Sequence, residues 1–432
     1  MLTFWGPANR YCDASRREFF RIGSAGIAGL TLSNLLRAEA LAGPAATGRS
    51  VINIFLSGGP THMDTFDLKP QAPKEFRGEF LPIATKVPGM EICELMPQLA
   101  SVADKCVIVR SVAGMNNEHA PTQSDSGWRE RDLKSLGGRP GLGPVMSKLF
   151  GAASVSAAGA APTAVDLTGW TRPGFLGQTH AAYRPDGTGR QNLTLDQKLG
   201  TARFESRQEL LVGLDRLGRQ IDATGMMDAM DSFTGRAASL ITSGRVAQAL
   251  DLKLESPESL ARYGAQRPGD AQNFVLARRL IEAGVRNVSF SIGGWDTHAN
   301  NFRSLRTKLP VLDAGLSTLI SDLDDRGLLD HTLILMSGEF GRTPRVNSGA
   351  GRDHWPQASF FVLAGGGLQT GQVLGSTNRL GERPEERPVH LQEIFATVYH
   401  QLGIDVSAVT LTDPNGRPQY LLDHRQVIRE LV

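Results

Sequence analysis

Five short stretches of this chain bring together carboxylates, imidazoles and one guanidinium at spacings that suit metal-assisted chemistry. They are His62/Asp64/Asp67, Glu118/His119, Asp296/His298, Glu339/Arg342 and Asp353/His354. Carboxylate oxygens and imidazole nitrogens without thiolates suit zinc, manganese, magnesium, calcium or iron, and do not choose among them. Two such ions about 4 Å apart clamp the attacking and leaving oxygens of an in-line displacement. A hydroxyl at a helix N-terminus serves as nucleophile in such a site, its charged form favoured by metal and helix dipole. Thr122, Ser124 and Ser126 stand near such a terminus, just after Pro121. Each member also has a plainer role. Asp296 and Asp67 are ordinary loop caps, His62 sits in a Gly-Pro-Thr loop, and Glu339 is spaced to pair with Arg342.

These residues follow short apolar runs. Val288-Ser-Phe-Ser-Ile-Gly-Gly-Trp-Asp-Thr-His298 reads as a buried strand that runs into two glycines and then offers Asp296 and His298. The runs 51–57, 106–110, 332–337 and 360–364 end in similar loops. Such runs are typical of parallel strands covered on both faces. Ligand sites in open α/β sheets lie beyond the carboxyl ends of the strands, so residues far apart in sequence meet there. Helices are expected over 91–104 (with Pro97 near the middle), 143–150, 273–283, 302–326 (kinked or interrupted near Pro310) and 389–402. A short strand is expected at 163–166. Strands alternating with helices predict a mainly parallel sheet. Residues 192–255 read as a helical insertion or cap.

The 432 residues suffice for one large core or two domains, and 41% hydrophobic with 21% charged residues is ordinary globular composition. A net charge of +2 without a Lys/Arg stripe argues against nucleic-acid binding. Three cysteines without a Cys-x-x-Cys indicate no thiolate metal site; Cys93 and Cys106 offer at most one disulfide. Residues 1–42 have the layout of a twin-arginine signal: Ser15-Arg-Arg-Glu-Phe-Phe20, an apolar small-residue stretch, then Ala38-Glu-Ala40. That predicts a periplasmic or extracellular protein, handed folded to the twin-arginine machinery, whose mature form does not span the membrane.

The leader, Gly58-Gly-Pro-Thr-His-Met-Asp-Thr-Phe-Asp67, Gly294-Trp-Asp-Thr-His298, Gly338-Glu-Phe-Gly-Arg-Thr-Pro344, Asp353-His-Trp-Pro356 and Gly365-Gly-Gly367 resemble the bacterial domain of unknown function 1501 family over nearly the whole chain. That family is similar to the alkaline phosphatase and sulfatase superfamily. The resemblance implies an alkaline-phosphatase-like three-layer α/β/α sandwich over 48–432, with mainly parallel sheet and a helical insertion. By position it implies Asp296, His298 and His354 as one metal's ligands, and Asp64 and Glu339 as another's. Thr122 becomes the leading nucleophile and His119 a catalytic partner, with Arg342 holding a non-bridging oxygen. The departures are specific. Glu339 is followed by Phe340 rather than histidine, Gly58 and Gly59 stand where the first strand should offer an acid, and no Cys/Ser-x-Pro-x-Arg marks a formylglycine sulfatase. The expectation is an exported hydrolase of phosphate, sulfate or phosphonate esters, small or polysaccharide, using divalent metal (zinc, manganese, calcium or magnesium). The alternative is a non-catalytic carbohydrate- or polymer-binding protein on the same fold.

Overall fold

The computed structural model describes residues 48–151, 153–156, 159–186 and 244–432. The expected signal segment and most of the expected helical insertion, 192–243, lie outside the described residues. No helix among those described is long and apolar enough to cross a membrane.

The strands of the central sheet are β1 (Ser50–Leu56), β2 (Cys106–Ala113), β3 (Ala164–Asp166), β4 (Asn287–Ile292), β5 (Thr332–Ser337), β6 (Ser359–Gly365), β7 (Gln372–Leu374) and β8 (Val389–His390). Their order is β7-β2-β6-β5-β1-β4-β3, with β8 also on β2. β1 pairs parallel with β4 and β5, whereas β6 is antiparallel to both β5 and β2. The carboxyl ends of β1, β2, β4 and β5 therefore share one edge, and β6 begins there. Gly365-Gly-Gly367, at the far end of β6, sits at the opposite edge against Leu329 and Leu333.

Alternate side chains of these strands enter two cores. Ile52, Ile54, Val288, Phe290 and Ile334 pack under α6 (Ala271–Glu282) and α7 (Asn301–Asp325). Val51, Val107, Val109, Leu335 and Phe361 pack under α3 (Leu142–Phe150) and α8 (Leu391–Gln401). Both faces are covered, as near-continuous apolar strands require. The result is a three-layer α/β/α sandwich.

Several boundaries differ from the sequence reading. The helix expected over 91–104 is a short strand, Glu91–Cys93, followed by α1 (Pro97–Ser101). Pro97 starts that helix, where its missing N–H costs nothing. α7 runs unbroken through Pro310. Pro310 is exposed, on the solvent side of the helix, where a carbonyl left without its donor is least costly. Residues 244–255 hold the six-residue helix α4 (Arg245–Leu250) and a 3₁₀ turn. The helix α5 (Pro257–Arg262) follows, capped by the Ser256 hydroxyl. Cys93 and Cys106 are buried free thiols, both pushed up to about 12 by burial.

Behind the site-bearing edge, α2 (Thr122–Ser126) is pinned by Asp125. Its carboxylate accepts from Leu142 N (3.3 Å) at the start of α3 and is fully buried. Burial, reinforced by Asp166, pushes its pKa up to about 7. The folded chain then holds a proton that the unfolded chain releases between about pH 4 and pH 7, so this group's contribution falls as pH rises through that window. That pKa already includes the opposing hydrogen bonds from Leu142 and Asn53, and between pH 5 and pH 8 it corresponds to about 2–3 kcal/mol of lost stability. Asp125→Asn is expected to gain about 2 kcal/mol over the parent at pH 8 relative to pH 5. Urea melts at the two pH values read this; equal differences would refute it.

Candidate metal centre

Positions 58 and 59 let the strand ends meet. Both glycines have positive φ, +117° and +69°, and a side chain at Gly58 would enter the backbone of Trp295 and Asp296. Only glycine fits there. The two freed amides point at one carboxylate: Gly58 N and Gly59 N donate to Glu339 (2.9 and 3.0 Å). Trp295, fully buried, bonds Ser57 O through its backbone (3.2 Å) and anchors the loop that carries Asp296 and His298. The 347–352 loop holds that segment from the other side. Asn347 donates to His298 O (2.9 Å), and Arg352 N donates to Thr297 O (3.0 Å). His354 pairs with Arg342 in a two-residue antiparallel ribbon just before β6. His119 lies in the loop between β2 and α2. Gln123 clamps that loop by accepting from Asn116 N (2.7 Å) and donating to Asn116 O (2.9 Å) and Glu339 O (3.3 Å).

Four side chains from these loops converge. His354 Nε2 lies 3.0 Å from His119 Nε2 and 3.0 Å from His298 Nε2. Asp296 Oδ1 lies 3.0 Å from His298 Nε2 and 3.2 Å from His354 Nε2, and Asp296 Oδ2 lies 3.6 Å from His119 Nε2. Every imidazole has an acceptor behind it. His119 Nδ1 donates to Glu339 Oε1 (2.9 Å), His298 Nδ1 to Asp353 Oδ1 (2.6 Å) and His354 Nδ1 to Asn117 Oδ1 (2.8 Å). With protons held on Nδ1, three Nε2 lone pairs face one another, which is repulsive unless a cation sits among them. The separations from His354 and Asp296, 3.0 to 3.6 Å, lie on either side of the about 3.3 Å edge of a tetrahedron with about 2.0 Å ligand bonds. His119, Asp296 and His354 form a group close enough to hold one ion, with His298 against two of its members. The donor set fits a metal ion.

The centre is open on one side. Side-chain exposure is 45% for Asp296, 46% for His119 and 48% for His298, against 1% for Glu339 and 0% for Arg342. Burial pulls the Asp296 carboxyl up, but the hydrogen bond and charge of Arg342 hold it below the usual range. The Asp353 carboxyl is lowered by its bond to His298. Burial lowers His354, with Arg342 and His119 adding to the effect.

This changes the roles expected from sequence. Asp296, His298 and His354 are brought together, and His119 joins them as a fourth potential ligand. Glu339 faces His119 and two amides, so it orients an imidazole. Asp64 stands elsewhere. It is 1% exposed, and both its oxygens are taken by Arg352 (2.7 and 2.8 Å), with Asn301 (2.8 Å) and Thr61 (3.0 Å) also donating. Arg342 bonds Asp296 Oδ1 (2.5 Å), Gly59 O (2.7 Å), Arg352 O (3.0 Å) and Gly58 O, which commits four of its five N–H groups, and the side chain is fully buried beneath the centre rather than facing its open side. The Thr122 hydroxyl donates to Glu130. Ser126 Oγ bonds Thr122 O (2.8 Å), and Ser124 Oγ is buried. His62, fully buried, bonds Gly381 O (2.8 Å); Asp67 pairs with Lys69 (2.9 Å) and Thr377. Among the described residues, the one group of three or more potential ligands close enough to share an ion is His119, Asp296 and His354, and His298 lies beside it. Sequence reasoning missed Asn117, Gln123 and Arg352. For Asn117 and Arg352 the available signal was position, each two residues before a site histidine.

The family model described as "Protein of unknown function (DUF1501)" matches residues 48–432. The chain belongs to the DUF1501 family. No curated protein matches this DUF1501 chain in sequence. Among solved structures it is similar to the PsFucS1 sulfatase from Pseudoalteromonas sp., at 11% identity over 86% of this chain and 70% of that one (TM-score 0.36). It is also similar to the lipoteichoic acid synthase LtaP from Listeria monocytogenes, at 12% identity over 84% and 74% (TM-score 0.32).

Proposed function

We propose that this DUF1501 chain is an exported metal-dependent hydrolase of phosphate or related (sulfate, phosphonate) esters. The convergence of three imidazole Nε2 atoms and Asp296 at 3.0–3.6 Å carries the reading. When bound, a divalent ion there supplies Lewis acidity toward an ester's oxygens and toward water. Three nitrogen donors and one carboxylate favour zinc over calcium and magnesium, which prefer all-oxygen shells. The chain's own work is orientation. Glu339, Asp353 and Asn117 hold the imidazole protons on Nδ1, and Arg342 fixes Asp296 through Oδ1. Thr122 is buried and its hydroxyl bonds Glu130 rather than any of the four side chains of the centre, so in this reading the attacking oxygen comes from solvent, which reaches the centre through its open face. Ser15-Arg-Arg-Glu-Phe-Phe20 and the apolar stretch after it support export by the twin-arginine route.

A second reading has one observation of its own. Arg342 and Thr122, the groups expected to hold and attack an ester, are both committed elsewhere, which favours a polymer-binding protein built around a structural ion.

Metal analysis of the exported protein, followed by a screen of aryl phosphates, sulfates and phosphonates, tests both. About one zinc per chain is expected, with turnover of at least one ester class and a mature N-terminus near residue 43. Zinc without turnover of any ester would favour the second reading. A chain that takes up no ion, even when incubated with zinc, would refute the metal centre.

A further inference from the structure

Two of the three imidazoles are backed by carboxylates, Glu339 behind His119 and Asp353 behind His298. The third, His354, is backed by the neutral amide of Asn117 (2.8 Å). His354 is the central member of the cluster and the least exposed imidazole of the three, at 20%. A carboxylate behind it would make it a stronger donor, as acceptors behind metal-bound imidazoles do. It would also add a charge. Beside a divalent ion stand Asp296, Glu339 and Asp353, all acidic, and the Arg342 guanidinium on Asp296 Oδ1. The ion's two positive charges and that of Arg342 balance the three carboxylates. An aspartate at position 117 would leave the loaded centre negative.

We propose that Asn117 is a positioning residue with two linked effects: it fixes the His354 tautomer for ion binding, and its neutrality keeps the loaded centre able to accept an anion. This rests on the metal-centre reading above and deepens it, because it makes the open face an anion site and gives position 117 control of the balance between ion affinity and anion affinity. A purely structural asparagine has no reason to move those two affinities in opposite directions. Asn117 is exposed and sits on a loop, so replacing it leaves the core untouched.

The test uses cobalt(II) in place of the native ion and inorganic phosphate as the anion. Cobalt affinity is read by competition with a chromophoric chelator. Phosphate affinity is read from the change it causes in the cobalt visible spectrum, with circular dichroism melts as a folding control. Asn117→Leu is expected to weaken cobalt binding about 10- to 100-fold. Asn117→Asp is expected to restore or tighten cobalt binding while weakening phosphate by roughly tenfold, the effect of a full charge close behind the ion. Folded Asn117→Leu protein that binds cobalt like the parent would overturn the positioning role. Asn117→Asp protein whose phosphate affinity matches the parent's, or a parent spectrum that phosphate leaves unmoved, would overturn the charge-balance role. A parent that binds no cobalt would overturn both together with the metal centre, an outcome distinct from the others.

Discussion

His354→Ala is expected to lower the chain's affinity for its ion by roughly 100- to 1,000-fold while leaving the fold intact. The magnitude follows from sharing the about 10–16 kcal/mol of a structural zinc site among four ligands, about 2.5–4 kcal/mol each, where each 1.4 kcal/mol is tenfold. His354 is the most informative ligand to remove, because it lies within 3.2 Å of the nearest ligand atom of each of the other three. The fold should tolerate the loss. His354 sits in a two-residue ribbon at the sheet edge and contributes to neither apolar core. Chelator competition on parent and variant reads the affinity, and melts after exhaustive chelation compare the apo folds. If ester turnover is found in the parent, it should fall with ion occupancy and return in part at high zinc. Undiminished zinc affinity in the variant would mean that the four side chains do not act as one centre.

Asp296 and His298 were legible because two local signals coincided, an apolar run ending in Gly-Gly and polar residues directly after it. Parallel topology then implied that the ends of β1, β2, β4 and β5 share an edge, and they do. The two cores were legible for the same reason, since near-continuous apolar strands must be covered on both faces. What the sequence did not reveal is the division of labour among like residues. Glu339, Asp64 and Asp296 are all carboxylates after strands. Glu339 is taken by amides about 280 positions away, and Asp64 by Arg352, 288 positions away. Nothing local distinguishes an acid that meets an ion from one that meets a guanidinium. Arg342 misled in the same way, because a cation next to a candidate site reads as a substrate anchor until its donors are traced to the carbonyls of Gly58, Gly59 and Arg352. The reversed direction of β6 was hidden too, since an apolar run carries no sign of its orientation.

The assignment of Asp64 to the fold has its own consequence. Asp64→Asn should destabilise the chain by about 3–5 kcal/mol, the usual cost of leaving a buried charge without its partner, without changing the number of ions bound per folded molecule. Arg352 is fully buried, and besides Asp64 it holds the carbonyls of Thr343 (3.0 Å), Phe76 (2.8 Å) and Pro344. Its guanidinium thus ties the 343–352 segment to the helical turn Lys74–Arg77 and to the loop after β1. With asparagine at position 64 that cation keeps its carbonyls but loses its counter-charge in a site that water does not reach. Asn301 and Thr61, which donate to the same carboxylate oxygen, lose part of their acceptor as well. The double change Asp64→Leu with Arg352→Met separates charge from packing. Removing both charges should recover part of the loss, since an apolar replacement of a buried pair is often neutral, although the three carbonyls then lack their donor. Denaturant melts give the stability, and metal analysis of the folded fraction gives the ion count. A variant of normal stability that binds fewer ions would return Asp64 to the metal and overturn the assignment. Lowered stability with an unchanged ion count would confirm that this carboxylate serves the scaffold, and that the ion depends on His119, Asp296, His298 and His354.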